Sequence, residues 1–306
     1  MPLFSVIVPV NNKIATLSTS LECLYRQTFR DFEVIAIDDG STDGSLDVLI
    51  QHEKAGLLRL FQQDSMGGGD YASYNLGADK AKGHWLVFYD AKGIMLLDHL
   101  SCFANDIAHN PGIELFFNAY QKIQGQSRLP YLKGMPFERL SRFEALRALA
   151  RFDFIHINGV CISRDRFVSL GCFPAGYYRR SSDVYFWLKV LCELRTVHYN
   201  ATVTSLWLIK HENSINDMRQ VFELPPALQL FKEYNSKLTR SELRQFRRAI
   251  NRKVISRAVQ KKKLGQSVCL DLKALELSAM SMRLWINAAS LLVPQPYYDR
   301  LCSRIK

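Results

Sequence analysis

The sequence lacks the cysteine pattern, the leader segment and the long apolar run that mark several large classes of protein. Its seven cysteines are scattered and odd in number, and no two of them form a CxxC pair. This argues against a disulfide framework and a zinc site, and it favours the reducing cytosol. The N-terminal MPLFSVIVPV has neither a basic segment nor a cleavage site and is typical of a first strand. No apolar run reaches about 18 residues, so we expect no membrane-spanning helix.

Acidic residues are scarce in one part of the chain only. Residues 207–306 contain 19 Lys and Arg against 8 Asp and Glu, a balance of 19 − 8 = +11, whereas residues 1–206 contain 21 of each sign. The whole net charge of the 306-residue chain therefore lies in its last third. This asymmetry separates a neutral front domain from a basic tail region, and we place the two at residues 1–220 and 221–306.

Strands and helices alternate over the first 90 residues, in a composition that is 48% hydrophobic and 23% charged, as in globular proteins. Four apolar runs predict strands, at 4–10, 32–37, 57–61 and 84–89, and the spacing of apolar residues predicts helices between them. Such alternation predicts right-handed crossovers and a mostly parallel sheet. Pro9, the Asp38-Asp39 pair and Asp90 would then meet at the edge where open α/β sheets bind ligands.

Beyond Gly93 the alternation loosens. The predicted elements are helices at 98–109 and 184–194, strands at 113–120, 159–162 and 203–209, and a loop at 121–135. From about residue 223 onward the chain is predicted to be helical. Between residues 239 and 263, apolar residues recur at three- and four-residue steps, and ten Lys or Arg occupy the same window.

Six motifs follow one another along the chain: FSVIVPVNN, QTFRDFEVIAIDDGSTDGS, YNLGADKAKGHWLVFYD after a glycine-rich loop, CISRDRFVSLGCF, SSDVYFWLKV and KHENSIN. With these motifs the chain resembles the inverting family 2 glycosyltransferases, which have the GT-A fold and use nucleotide sugars. The resemblance covers about residues 3–216. It implies an α/β domain with a Rossmann-like, mostly parallel sheet, followed here by a basic α-helical C-terminal region.

The resemblance implies a nucleotide site around Asp39. In the family, the second aspartate of the DDGS element binds the base, and the first, Asp38 here, supports the turn. A carboxylate suits the imide N–H of uracil, although a turn that caps a helix would have the same sequence. Pro9 and Asn11 belong to the neighbouring strand end. Asn11 stands where the family usually has an aromatic residue that stacks on the base, so either stacking is lost or Asn11 is a loop residue without a role.

The resemblance also implies a diphosphate contact around the glycine cluster that contains Gly68. These glycines permit close backbone approach to a ligand, or they simply form a flexible loop. The helix that follows commonly carries an Arg-Asn pair in the family, and this chain has Tyr74-Asn75. Asn75 matches the pattern, whereas Tyr74 does not, so a positive contact is missing.

The family's DxD element places its first carboxylate near the ribose and its last on Mg²⁺ or Mn²⁺. Asp90 matches the first position, but Lys92 replaces the metal-binding residue, and a charged lysine has no lone pair to donate. Either the Lys92 ammonium itself stabilises the diphosphate, or the donor site is degenerate and the protein is catalytically silent. No metal ligand set is predicted, and the cofactor requirement stays open.

A catalytic base and a second phosphate contact are implied in the same way. Asp183 occupies the aspartate that takes the acceptor hydroxyl proton in inverting transfer, or it only caps the helix that follows. His211, in KHENSIN, corresponds to a family histidine near the donor phosphates or the metal, or it is structural. His156 is a candidate for the acceptor side.

The implied function is transfer of a sugar from a nucleotide-sugar donor, a UDP-sugar, to a glycan or lipid-linked acceptor in bacterial surface polysaccharide or lipopolysaccharide synthesis. The alternative is a non-catalytic GT-A relative that acts as a scaffold or regulator. The basic C-terminal region would contact an anionic membrane surface at the inner face of the cell membrane, form a solvated helix face, or bind nucleic acid. Sparse aromatic residues and the lack of a recognised nucleic-acid module argue against the last.

Overall fold

The described residues fold into two compact units. In the computed structural model these residues are 1–63, 69–125, 127–128, 138–175, 182–209, 226–295 and 297–298. The first unit comprises residues 1–141 and 153–217, and the second comprises residues 142–152 and 218–306. The predicted domain boundary near residue 220 lies in the segment 210–225, outside the described residues, and stays a prediction.

Ten strands form one sheet in the described part of the first unit. They are β1 (Phe4–Val10), β2 (Phe32–Asp38), β3 (Arg59–Gln62), β4 (Trp85–Phe88), β5 (Gly93–Met95), β6 (Leu115–Gln124), β7 (Ser127–Arg128), β8 (Arg139–Ser141), β9 (Val160–Ser163) and β10 (Thr196–Ile209). Along the sheet the order is β3-β2-β1-β4-β9-β6-β10-β5, with β7 on β6 and β8 on β10.

The strands β1 to β4 run parallel to one another, which sets the position of the candidate site. β1 pairs in parallel with β2 and β4, β2 pairs in parallel with β3, and β6 pairs in parallel with β10. β9 runs antiparallel to both of its neighbours, and β5 runs antiparallel to β10. The predicted fold class, α/β with a mostly parallel sheet, is confirmed. Because β1, β2 and β4 are parallel, their carboxyl ends lie at the same edge.

Helices cover the sheet and explain why β1 is buried along its whole length. In the first unit they are α1 (Ile14–Tyr25), α2 (Ser45–Lys54), α3 (Gly69–Lys80), α4 (His99–His109), α6 (Arg164–Ser169) and α7 (Ser182–Glu193). Leu17 and Leu21 of α1 pack in one core cluster with Val6 and Val8 of β1. The apolar face of each crossover helix thus fixes the loops that leave the strand ends.

The second unit is helical in its described residues. It contains α5 (Arg142–Arg151), α8 (Leu230–Tyr234), α9 (Arg240–Lys263), α10 (Cys269–Lys273) and α11 (Met282–Leu292). α9 begins at a capping box in which Thr239 and Glu242 bind each other's backbone N–H groups. Ile255 and Ala258 of α9 pack with Leu291 of α11 in a separate core. The predicted helical C-terminal region is confirmed.

The loop predicted at 121–135 is wrong at its beginning. β6 continues to Gln124, and β7 covers Ser127–Arg128. The segment QKIQ has no continuous apolar pattern, but it pairs with residues 206–209 of β10 and with β7. A partner strand that is remote in sequence therefore decides the structure here. No helix within the described part of the chain combines the length and the apolar character needed to cross a bilayer.

Candidate functional site

Hydrogen bonds join the loops that follow β1 and β2. Asn11 Nδ2 donates to the backbone carbonyl oxygen of Asp39 at 2.5 Å, and Asn12 Oδ1 accepts from the Thr42 N–H at 2.8 Å. Asn12 has φ of 51°, in the left-handed region that asparagine adopts more readily than most residues. Asn11 stands where family 2 glycosyltransferases usually have an aromatic residue that stacks on the base. In this chain it instead fixes the loop that carries Asp39.

Asp38 and Asp39 have different surroundings at the end of β2. Both side chains are buried, and Asp38 Oδ2 accepts from the Ser41 N–H at 3.2 Å, so Asp38 holds the turn. Asp39 Oδ1 accepts from Gln63 Nε2 at 3.1 Å. Asp39 Oδ2 accepts no hydrogen bond from the described residues. One carboxylate oxygen of Asp39 is thus left for a donor on a ligand.

The carboxylate of Asp90, two residues beyond the end of β4, faces a buried lysine. Lys13 Nζ lies 3.6 Å from Asp90 Oδ1, and the Lys13 side chain is 7% exposed. The backbone N–H of Lys13, just before α1, donates to Ser45 Oγ at 3.0 Å. Withdrawal from water disfavours the charged ammonium, and the carboxylate beside it opposes that effect. Sequence reasoning missed Lys13, although it is the first charged residue after β1.

A tight turn after β4 fixes the backbone of Asp90. The Asp90 N–H donates to Asn158 Oδ1 at 2.7 Å, and the Lys92 N–H donates to Asp90 Oδ1 at 3.1 Å. A Cβ on Gly93 would clash with the Asn158 amide and lie 3.0 Å from the Leu206 carbonyl oxygen, so glycine is required there. The Lys92 side chain is exposed and has no ion pair among the described residues, which leaves its ammonium available to a ligand.

The described residues do not fit a divalent metal ion. Mg²⁺ and similar hard cations favour several oxygen ligands. Within the part of the chain that the structure describes, no group of three His, Cys, Asp or Glu side chains could hold a metal. Asp90 provides one carboxylate, and it already pairs with Lys13. His211 and Gly68, two further predicted site residues, lie outside the described residues.

The family model described as Glycosyl transferase family 2 matches residues 5–167, which is more than half of the chain and includes Asp39, Asp90 and Lys92. The chain belongs to this family. The predicted resemblance to family 2 glycosyltransferases is confirmed, and the matched range contains β2 to β4, all of β1 except Phe4, and the loops that follow these strands.

Curated relatives of this family member are matched over limited segments. A PGL/p-HBAD biosynthesis glycosyltransferase of Mycobacterium bovis is 40% identical over 91 residues, which is 29% of this chain and 35% of that protein. A validoxylamine A glucosyltransferase of Streptomyces hygroscopicus subsp. jinggangensis is 38% identical over 92 residues, 29% of this chain and 22% of that protein. The chain thus spans about a third or less of these relatives' length.

Solved glycosyltransferase structures share the fold over most of the chain. S. aureus TarS in complex with UDP-GlcNAc superposes with a TM-score of 0.71 at 17% identity, over 95% of this chain and 80% of that one. The mannosyltransferase PcManGT from Pyrobaculum calidifontis, in complex with GDP-Man and Mn²⁺, has a TM-score of 0.57 at 17% identity, over 99% of this chain and 83% of that one. At such identities the likeness establishes a common GT-A fold.

Within this GT-A fold, Asp183 lies in the first turn of α7 and faces α3. Asp183 Oδ1 accepts a hydrogen bond from the Tyr71 hydroxyl at 2.8 Å. Asp183 Oδ2 accepts no hydrogen bond from the described residues. This arrangement suits a proton acceptor and equally a residue that only stabilises the beginning of the helix, so the role of Asp183 stays a prediction.

Tyr74 and Asn75 both support the structure of the family 2 domain. Tyr74 is buried and packs against Phe88 with ring centroids 5.2 Å apart. Asn75 Nδ2 donates to the Phe173 carbonyl oxygen at 2.8 Å, and Asn75 Oδ1 accepts from the Phe173 N–H at 3.0 Å. Tyr74, which stands where the family commonly has an arginine, is therefore a core residue. Asn75 fixes the backbone at Phe173. A ligand contact of Asn75 stays a prediction.

An aromatic cluster with one lysine lies next to the turn after β4. The ring centroids of Tyr120 and Trp207 each lie 4.9 Å from that of His156, and Lys122 Nζ lies 4.8 Å from the Trp207 ring centroid. Trp207 pairs with Gly93 across β10 and β5, which places the cluster beside the turn. Burial lowers the pKa of His156 to about 4, so its ring is neutral at pH 7. Sequence reasoning found His156 but missed its three neighbours, which are remote from it in sequence.

Proposed function

We propose that the chain transfers a sugar from a UDP-sugar to a hydroxyl of a glycan or lipid-linked acceptor, with inversion at the anomeric carbon. The reaction takes place at the inner face of a bacterial cell membrane, during surface polysaccharide or lipopolysaccharide synthesis. Family membership supports glycosyl transfer, and the shared fold with TarS, which was solved with UDP-GlcNAc, supports the donor class. The observation that carries the proposal is that Asp39, Asp90 and Lys92 follow strands whose carboxyl ends lie at one edge.

Asp39 recognises the nucleotide base in this proposal. Its Oδ1 is held by Gln63, and its Oδ2 is left for a donor. The imide N–H of uracil is such a donor, and a fixed carboxylate accepts it without the loss of side-chain freedom that a mobile one would incur. Asp38 and Asn11 hold the loop, and Pro9 lies in β1 opposite Ile37 of β2. Preorganisation of this loop favours binding.

Lysine side chains neutralise the diphosphate in this proposal. The leaving group gains negative charge as its bond to the anomeric carbon breaks, and a cation beside it stabilises that charge. Lys92 is exposed at the turn after β4 and has no carboxylate partner among the described residues. Lys13 pairs with Asp90, so that this carboxylate is able to accept from a ribose hydroxyl without repelling the diphosphate.

Asp183 acts as the base. The acceptor oxygen forms a bond to the anomeric carbon while its proton passes to Asp183 Oδ2, and the bond to the diphosphate oxygen breaks with its electron pair remaining on UDP. Attack from the face opposite the leaving group gives inversion. The Tyr71 hydroxyl, bonded to Oδ1, orients the carboxylate. The half-buried rings of His156 and Trp207, backed by the buried Tyr120, offer an apolar surface for an acceptor sugar.

Calorimetric titration with UDP and GDP, once with Mn²⁺ and once with EDTA, tests the donor site. We expect UDP binding to survive EDTA in the unaltered protein and to weaken about tenfold in Lys92→Ala, which is about 1.4 kcal/mol, because the ammonium is lost. Lys54→Ala removes an exposed lysine at the end of α2 and is the matched control, for which unchanged affinity is expected.

Two outcomes would contradict the donor site as described. Binding that requires Mn²⁺ would mean that another side chain completes a metal site, and the role of Lys92 would be wrong. The absence of nucleotide binding under both conditions would favour the alternative, a non-catalytic GT-A relative that scaffolds or regulates a partner.

A further inference from the structure

Helix α11 carries apolar side chains on two different faces. One face, with Leu284, Ala288 and Leu291, is buried in the core of the second unit. The other face exposes four large apolar side chains at helical spacing, which we call the apolar stripe. They are Met282 (82% exposed), Trp285 (49%), Ile286 (63%) and Leu292 (72%). A helix with apolar residues on both faces, one of them exposed, indicates a partner for the exposed face.

The amphipathic spacing of α9 does not provide such a surface. Its apolar residues Phe246, Ile250 and Val254 are fully buried inside the second unit. The membrane contact expected from the periodicity of residues 239–263 therefore cannot use the apolar face of that helix. In the described part of the second unit, α11 carries the largest group of exposed apolar side chains, and Leu270 and Leu277 are exposed outside it.

A groove of about 690 Å³ lies along α5, α9 and α11 and is strongly basic. Its cationic lining residues are Arg151, Arg248, Arg252, Lys263 and Arg283, and no Asp or Glu lines it among the described residues. We call it the basic groove. Burial first, and then the neighbouring Arg244 and Arg151, lower the pKa of the Arg248 guanidinium. Lys263 and Arg283 are exposed and have no ion pair within the described part of the chain.

The basic groove borders the apolar stripe along α11. Arg283 and Asn287, which line the groove, lie between the buried face of this helix and the exposed face that carries Ile286. The one cationic residue of α11, Arg283, thus lies beside the exposed apolar side chains of the same helix. This combination matches the layered chemistry of a lipid surface, in which phosphates lie directly above apolar chains.

We propose that the apolar stripe and the basic groove together dock the second unit on an anionic lipid bilayer. The stripe enters the boundary between headgroups and acyl chains, where a tryptophan such as Trp285 is favoured, and lipid phosphates occupy the groove. This inference rests on the proposed location at the inner face of the membrane. Vesicle binding is measured without sugar transfer, so its failure and the failure of the transfer reaction are distinguishable.

Charge favours a bilayer over other occupants of this surface. Residues 207–306 carry a net charge of +11, so two copies of the chain that met through this surface would repel each other. A nucleic acid would be attracted by the same charge, but its phosphate backbone offers no apolar layer for Met282, Ile286 and Leu292. An anionic bilayer satisfies both the charge and the apolar side chains.

Flotation of the full chain with phosphatidylcholine vesicles, with and without phosphatidylglycerol, tests the surface. We expect binding to the vesicles that contain phosphatidylglycerol. The double variants Trp285→Ser with Ile286→Ser, and Lys263→Gln with Arg283→Gln, should each weaken that binding about tenfold or more. Leu57→Ser with Lys54→Gln changes an exposed leucine and an exposed lysine of the first unit and is the matched control, for which unchanged binding is expected.

Circular dichroism shows whether each variant keeps its helix content, and the substituted side chains are exposed, so folding should be retained. Equal binding to both kinds of vesicle, or to neither, would overturn the proposal. Conversion of a dimer to a monomer by the apolar-stripe variant would assign the stripe to a second copy. Binding to duplex DNA but not to vesicles would assign the surface to nucleic acid.

Discussion

Asp90 and Lys13 form an ion pair two residues before Lys92, which stands where the family's metal-binding carboxylate is expected. The pair gives Asp90 a fixed positive neighbour, and the carboxylate then has less need of a metal to offset its charge. Lys92, two residues later, supplies a second ammonium that is exposed. In our proposal, Lys92 on this turn and Lys13 just before α1 provide the positive charge that a divalent ion would otherwise bring.

Replacing Asp183 by Asn should lower the rate of transfer by about 10²–10⁴-fold, because an amide cannot accept the acceptor proton. The affinity for UDP should stay unchanged, since Asp183 does not contact the nucleotide in our proposal. Initial rates of UDP release, measured with a donor and an acceptor identified by screening, give the first quantity. Calorimetric titration gives the second.

Asp165→Asn is the matched control for this change, because it removes a carboxylate that is 95% exposed and lies at the beginning of another helix, α6. Unimpaired transfer by Asp183→Asn would show that this aspartate is only a helix-terminal residue. Inversion is checked separately, from the anomeric configuration of the product.

Individual site residues were predictable only as far as motif position allows. Asp39, Asp90 and Asp183 were proposed because acidic residues at strand ends and helix starts match known motifs, and their roles stay predictions. The hydrogen bond from Asn11 to the Asp39 carbonyl was not predictable, since it joins loops 28 residues apart. The packing of Tyr74 on Phe88 was missed for the same reason. Side-chain partners depend on tertiary contacts that a local pattern does not contain.

At the scale of elements, the short helical turn that contains Asn158 braces the end of β4. Asn158 is fully buried, and its Oδ1 accepts from the Asp90 N–H at 2.7 Å. Asn158→Ala should lower the free energy of unfolding by about 1–3 kcal/mol, because the Asp90 N–H loses its partner. It should also weaken UDP binding, because the turn is less well fixed. Urea denaturation and calorimetry measure the two effects.

Asn105→Ala serves as the control for Asn158→Ala, since Asn105 is exposed on α4. An equal loss of stability in both variants, or unchanged UDP affinity in Asn158→Ala, would contradict the bracing role of Asn158.

Elements with a strong local signal were predictable, and elements defined by pairing were not. The apolar run at 4–10 predicted β1 with the observed bounds. A strand of seven buried residues leaves a signal in its own sequence, so its neighbours in the sheet need not be known to predict it. β5 has three residues and β8 has three, too few for an alternating pattern. Both exist because β10 pairs with them. Short strands of this kind follow from the sheet and not from their own sequence.

At the scale of the whole molecule, the charge asymmetry predicted two regions. It did not predict that one helix of the second unit lies earlier in the chain, among the strands of the first unit. Helix α5 belongs to the second unit, although it precedes β9 in the chain. Arg252 of α9 donates from Nε to the Leu149 carbonyl oxygen at 3.1 Å and from Nη2 to the Phe152 carbonyl oxygen at 2.9 Å. These contacts join residues about a hundred positions apart, which the charge balance along the chain does not reveal.

Acid should destabilise the folded molecule partly through His99. The ring is fully buried, with Nδ1 2.8 Å from Thr204 Oγ1, and burial lowers the pKa of His99 from 6.5 to about 3. Between these values the unfolded chain binds a proton that the folded chain does not, so the free energy of unfolding falls as the pH drops below about 6.5. The loss is at most about 1.4 kcal/mol per pH unit, and above pH 6.5 His99 contributes nothing to the slope.

His99→Gln removes this proton-binding group, so the free energy of unfolding should fall less steeply between about pH 6 and about pH 4. The slope should decrease by up to about 1.4 kcal/mol per pH unit, the contribution of one proton. The free energy of unfolding at neutral pH should decrease as well, because the packing of the ring on Phe103 is lost. The packing loss is the same at every pH, whereas the loss of the proton-binding group changes the slope, so the two effects can be separated. Urea denaturation across this range measures the slope, with His109→Gln, which removes an exposed imidazole at the end of α4, as the control. A slope in His99→Gln as steep as in the unaltered protein would place the acid sensitivity in other groups, since it would mean that His99 binds the same number of protons in the folded and the unfolded chain.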